Sequence, residues 1–170
     1  VEVMKNFVPE ILKYPRFGIV ETNILNKHCF VSRTGYTGED GFEVTAPNEI
    51  IIEIWEKLMV LGKSYNIKPC GLGSRDSLRL ESGYLLYGSD IDDEHSSYEA
   101  GYGWTVKLNK GEFLGKELFE KQKKEGVKIK LTGIVMGNGV PRAGYKVFKN
   151  GSEIGNLTSA SYSPSLKKSI

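Results

Sequence analysis

The sequence predicts an α+β fold, and three observations carry that prediction. Two β-prone runs flank a glycine-rich loop, an apolar run at helical spacing follows them, and from Lys128 onward the chain breaks into short β-prone stretches separated by glycine turns.

After a mixed opening stretch, Lys27 to Arg33 reads as a strand, because Cys29 and Val31 alternate with His28 and Phe30; Phe42 to Ala46 reads as its return partner. Pro47-Asn48 breaks that strand. Asn48 is placed to cap a helix in which Ile51, Ile54, Trp55, Leu58 and Leu61 recur at helical spacing until Gly62. A second helix is expected from Ser74, whose hydroxyl can cap it, with Leu78 and Leu80 turned inward and Gly83 ending it. Tyr102 to Leu108 is expected as a strand and Gly115 to Lys124 as a charged amphipathic helix terminated by Gly126. The later runs Leu131 to Met136, Tyr145 to Phe148 and Ser152 to Leu157 are strand candidates. Between the last two, Lys149-Asn150-Gly151 signals a hairpin, because asparagine and glycine tolerate the positive φ of a type I′ turn. Trp55, Trp104 and the aliphatic stripe of the first helix are expected in the core, and the lysines after Glu120 on a solvated face.

A domain boundary is expected near Glu125, separating an α+β region over 1–125 from a segment over 126–170. That segment is too small to hold a core alone, so it should pack on the first region or be completed by further chain.

Composition bounds the function. With 170 residues, 39% hydrophobic and 26% charged, the chain suits one or two globular cores. A formal net charge of +2, with basic residues spread out except at Lys121-Gln122-Lys123-Lys124 and Lys167-Lys168, argues against a nucleic-acid face. Cys29 and Cys70 have no CxxC spacing, and His28 and His95 are isolated, which argues against a disulfide scaffold and a metal cluster. No apolar run is long enough for a membrane helix, and the first residues do not have signal-peptide composition. The start at Val1 and the strand-like lead at the end suggest a fragment.

The chemistry concentrates in Arg33-Thr34-Gly35-Tyr36-Thr37-Gly38-Glu39-Asp40-Gly41-Phe42-Glu43-Val44. Glycine permits positive φ and close backbone approach, Tyr36 offers a flat face, and Glu39, Asp40 and Glu43 offer paired acceptors. The pattern points to a pocket for a flat, hydrogen-bonding heterocycle. Glu39 and Asp40 are better read as turn residues bonding nearby backbone N–H groups. Gly71-Leu72-Gly73-Ser74 has neither the lysine of a Walker loop nor the third glycine of a dinucleotide fingerprint, so a phosphate site is not assigned there.

Gly35 to Glu43 resembles the signature loop of the glycine cleavage T-protein (aminomethyltransferase) family. Further stretches resemble it in the right order: Ser74-Arg75-Asp76-Ser77-Leu78-Arg79-Leu80-Glu81-Ser82-Gly83, Leu86-Tyr87-Gly88-Ser89-Asp90-Ile91, Gly103-Trp104-Thr105-Val106, Phe113-Leu114-Gly115-Lys116-Glu117, Thr158-Ser159 and Ser163 to Lys168. The resemblance covers nearly the whole chain and implies a ferredoxin-like folate-binding region followed by the start of a C-terminal β-barrel domain. It also implies an enzyme that takes an aminomethyl group from the lipoyl arm of the H protein, releases ammonia and makes methylene-tetrahydrofolate. The implied compartment is a bacterial cytoplasm or a mitochondrial matrix.

Carried over residue by residue, the resemblance implies folate contacts at Tyr36, Glu43 and Arg75, with Tyr84 a weaker candidate. One carboxylate can accept both the amino group and the adjacent ring N–H of a pterin, which suits Glu43. Arg75 presents a planar fork to a ring carbonyl or a tail carboxylate, and Tyr36 can stack or donate its hydroxyl. Without the family, Arg75 reads equally well as a helix-start residue paired with Asp76 or Glu81.

The family's catalytic aspartate precedes the matched region, so no catalytic residue is assigned within the chain, and little transfer activity is expected of these residues alone. Asp76, Asp90 and Asp92 are not promoted to that role. Two departures stand out: Ser96-Ser97 replaces the family's threonine-proline pair, and Ala160 its glycine. If that turn needs positive φ, alanine costs roughly 1 kcal/mol. Two rival readings share the folate contacts, namely a module of a dimethylglycine or sarcosine oxidising enzyme and a non-catalytic folate-binding protein.

Overall fold

Each of two units in the chain has its own way of burying side chains. The structure, a computed structural model, describes residues 1–170, and the units divide between Leu78 and Arg79.

In the first unit, β1 (Ile19–Ile24), β2 (Lys27–Ser32) and β3 (Glu43–Thr45) form an antiparallel sheet in that order. The expected pair of β2 and β3 is present, with Val31 opposite Val44 and Ser32 opposite Glu43. Alternation along β2 is as read, since Cys29 and Val31 are fully buried while His28 is exposed. The additional strand β1 comes from the stretch read as mixed. Its inward residues Val20 and Ile24 join Met4 and Ile11, from two short 3₁₀ turns, and Val8 between those turns. Leu25 and Asn26, both at positive φ, make the tight turn that sets β1 against β2.

Helix α1 (Asn48–Leu61) closes this core, with part of the expected apolar face turned inward. Ile50 and Ile54 are buried and Leu58 packs against them, an i, i+4, i+8 row, whereas Trp55 is 54% exposed. Ile54 and Leu58 are inward as read, Ile50 joins them, and Ile51 and Trp55 lie on the exposed side of that row. Pro47, not Asn48, is the N-cap residue, and Asn48 begins the helix. Gly62 does end α1, in right-handed conformation; a Cβ there would sit 2.5 Å from the Ile67 methyl. Helix α2 (Leu72–Glu81) begins before Ser74, which lies inside it, and Gly83 at φ +70° turns the chain out.

In the second unit, α3 (Lys116–Glu125) runs from Gly115 to Gly126 as expected. The hairpin of β4 (Lys146–Lys149) and β5 (Ser152–Asn156) turns on Asn150 and Gly151, both at positive φ, as the type I′ reading requires. β6 (Tyr162–Ser163) pairs with β7 (Lys168–Ser169). Tyr102 to Leu108 is not a strand: Gly103–Thr105 forms a 3₁₀ turn, and Trp104 is 71% exposed. Gly103 explains this, because its backbone lies so close to the Tyr98 ring that a Cβ would meet it at 2.5 Å. Leu131 to Met136 is likewise not a strand; its backbone makes one bond to Glu99 and an isolated bridge to Ser169. Ala160 is not among the residues at positive φ, so it carries no strain of that kind.

Candidate functional site

The loop between β2 and β3 is tied down by side chains. Arg33, at the end of β2, donates through Nε and Nη2 to both Asp40 carboxylate oxygens, at 2.9 and 2.8 Å, and through Nη1 to the Tyr14 carbonyl at 2.9 Å. Asp40 is therefore bound to an arginine seven residues away, and not to the local backbone amides expected for it. Hydrogen bonding from Arg33 holds the Asp40 carboxyl below its ordinary value, and the same bonds raise the guanidinium. The Glu39 amide donates to Thr37 Oγ1 at 3.4 Å, a bond within the loop.

Glu43 opens β3, exposed to solvent, and accepts a short hydrogen bond from the Thr34 hydroxyl. Thr34 thus fixes the carboxylate from one oxygen, and the other oxygen has its acceptor positions available to a ligand edge. Tyr36 is met by Arg75 from the first turns of α2, the guanidinium carbon lying 4.6 Å from the ring centroid. This is a cation–π contact. Arg75 thus covers one face of the Tyr36 ring. Of the two partners considered for Arg75, Glu81 is engaged elsewhere: it accepts from Ser163 Oγ at 2.6 Å and from Ser165 N and Oγ at 3.1 and 2.8 Å.

Tyr84 belongs to the second unit. It lines a cavity of about 400 Å³ whose walls include Leu131, Ile154, Thr158 and Ile170, with Asp90 at its edge. Beside it lies a buried polar cluster that sequence reasoning missed. Arg79, 2% exposed, donates to Asp90 Oδ2 at 2.6 Å, to the Tyr84 carbonyl at 3.1 Å and to Ser159 Oγ at 2.9 Å. Asp90 also accepts from the Leu86 amide and from Thr158 Oγ1. Burial pushes the Asp90 carboxyl up, but hydrogen bonds from Thr158, Ser159, Leu86 and Arg79 outweigh it and hold the group below its ordinary value. Asp90 is thus structural, and Asp92 is bound by His95 and the Glu94 amide. The signal for the cluster was Arg79 standing between Leu78 and Leu80 on the inward side of a helix.

The first unit thus carries a side-chain-braced glycine loop with an arginine-stacked tyrosine and an oriented carboxylate. The chain belongs to the glycine cleavage T-protein family: the GCVT N-terminal domain matches residues 2–110 and the glycine cleavage T-protein C-terminal barrel domain matches residues 130–170. An aminomethyltransferase of Caldanaerobacter subterraneus subsp. tengcongensis is 46% identical over 172 residues, covering 99% of this chain and 46% of the relative. One from a Geobacillus species is 49% identical over 152 residues, covering 88% of this chain and 42% of the relative. The crystal structure of glycine cleavage system aminomethyltransferase T from Bartonella henselae superposes with a TM-score of 0.76 at 36% identity, over 83% of this chain and 40% of that one. The chain spans about half the length of the curated relatives it matches.

Proposed function

We propose that this chain supplies the pterin-side contacts of a tetrahydrofolate-dependent aminomethyltransferase. The observation that carries the reading is the braced loop, where the Arg75 guanidinium stacks on Tyr36 and Thr34 orients the Glu43 carboxylate. Glu43 accepts the amino group and ring N–H of the pterin. Arg75 reaches a ring carbonyl or the glutamyl tail carboxylate, and Tyr36 stacks on the ligand or donates its hydroxyl. Tyr84 lies on the cavity of the second unit and is not part of this set.

In the whole protein the substrate is the aminomethyl group on the lipoyl arm of the H protein. Two bonds form from folate nitrogens to the methylene carbon, while the carbon–nitrogen bond to ammonia and the carbon–sulfur bond to the lipoyl arm break. The two protons lost from the folate nitrogens balance the ammonia and the thiol. No residue of this chain is assigned as the catalytic acid or base. The matched segments, 2–110 and 130–170, support a boundary between the folate region and the barrel near Glu125. The relatives named above are bacterial, which supports a bacterial cytoplasm among the implied compartments.

The test is calorimetric titration of tetrahydrofolate into this chain and its Glu43→Ala variant, with folding followed by circular dichroism. The expected result is binding by the parent and a dissociation constant at least about tenfold higher for the folded variant, the loss of a charge-assisted pair. A folded parent that takes no tetrahydrofolate sinks the reading.

A further inference from the structure

We infer that Arg33 and Asp40 form a positioning clasp that holds the glycine loop in its ligand-receiving shape, an inference that rests on the folate reading above. Exposed ion pairs contribute little in general, so the case has to come from geometry.

Three features separate this pair from an ordinary surface contact. It is bidentate, with both carboxylate oxygens engaged, and the Arg33 side chain is only 18% exposed. Its third nitrogen, Nη1, donates to the Tyr14 carbonyl, 19 positions earlier, so the same guanidinium joins the loop to the segment leading into β1. Arg33 itself is fixed at the end of β2, since its amide donates to the Gly18 carbonyl and its carbonyl accepts from Phe17.

The consequence is topological. The chain leaves the sheet after Ser32 and returns at Glu43. Asp40 is pinned back to the point of departure, and the residues from Thr34 to Glu39 form a closed arc that turns at Gly38, φ +79°. Tyr36 sits on that arc with its ring against Arg75, and Glu43 follows just after the pinned residue. Without the clasp, the arc is held at its sheet ends and through side-chain contacts such as Tyr36 with Arg75. A ligand would then have to order the arc residues on binding, and each ordered residue opposes association. The clasp prepays that ordering. Neither Arg33 nor Asp40 needs to touch the ligand.

Two readouts on the full chain decide it. The first is tetrahydrofolate affinity by calorimetry for the parent, Asp40→Ala and Asp40→Glu. The second is the ring signal of Tyr36 in ¹³C-tyrosine-labelled protein, assigned with Tyr36→Phe. Asp40→Ala is expected to raise the dissociation constant about tenfold and to shift or broaden the Tyr36 signal, with circular dichroism unchanged. Asp40→Glu, which keeps a carboxylate for Arg33, is expected to recover most of both. A folded Asp40→Ala protein with parental affinity and an unmoved Tyr36 signal overturns the clasp. So does failure of Asp40→Glu to recover any affinity. If the parent binds no tetrahydrofolate, the folate reading fails and takes the ligand role of the clasp with it, while the Tyr36 signal still reports whether the clasp orders the loop.

Discussion

In the first unit the buried side chains are Met4, Val8, Ile11, Val20, Ile24, Cys29, Val31, Ile50 and Ile54; in the second they are Arg79, Pro141, Ser163 and Ser169. One unit removes hydrocarbon from water and accepts whatever shape packs it. The other is fixed by bonds with direction: Arg79 to Asp90, Tyr84 and Ser159, and Glu81 to Ser163 and Ser165. A buried ion pair is poor value as a source of stability, since desolvation consumes much of its attraction. What it supplies is a defined path for the chain around Asp90. The difference teaches that the two units should fail in different ways.

The sharpest way to break that comparison is Arg79→Met, which leaves the Asp90 carboxylate buried without its cation. The expected cost is about 3–5 kcal/mol. Hydrogen exchange should quicken at the Leu86 and Asp90 amides while those of Val20 and Val31 in the β1–β2 ladder keep their protection. Equal loss in both regions would show that the units do not fail separately.

Ile54→Ala should give the opposite map at slightly smaller cost. Its side chain is 2% exposed, and truncation leaves a cavity beneath the sheet worth about 3 kcal/mol. Protection should fall in β1 and β2, and thermal unfolding followed by circular dichroism should report a lower midpoint.

The smallest effect is pH dependence. Asp90 and Glu81 both titrate below their ordinary values in the folded chain, Glu81 mainly through its bonds from Ser163 and Ser165. A depressed folded value means that the contribution is complete above the unfolded carboxyl value and is lost as pH falls through the folded one. Acidification below about pH 4 should therefore loosen the Leu86 and Leu166 amides before those of the apolar unit, by exchange measured across an acid series.

Local chemistry was legible in the sequence wherever neighbours in the chain decide the outcome. The β2–β3 pair followed from the alternation of Cys29 and Val31, α3 from its flanking glycines, and the β4–β5 hairpin from Asn150-Gly151. Tyr36, Glu43 and Arg75 entered as candidate contacts through the family resemblance, and the structure sets Arg75 against the Tyr36 ring.

Only the tertiary structure decided which face of α1 is buried, since the apolar residues of that helix occupy more than one stripe and the sheet selects the Ile50–Ile54 row. It also decided that Tyr102 to Leu108 would not extend, because the Tyr98 ring lies against the Gly103 backbone. Partners far apart in the chain were invisible for the same reason. Nothing near Arg79 announces Ser159, 80 positions on, and nothing near Glu81 announces Ser163, 82 positions on. A sequence determines what a residue can bond; folding determines which distant group is there to be bonded.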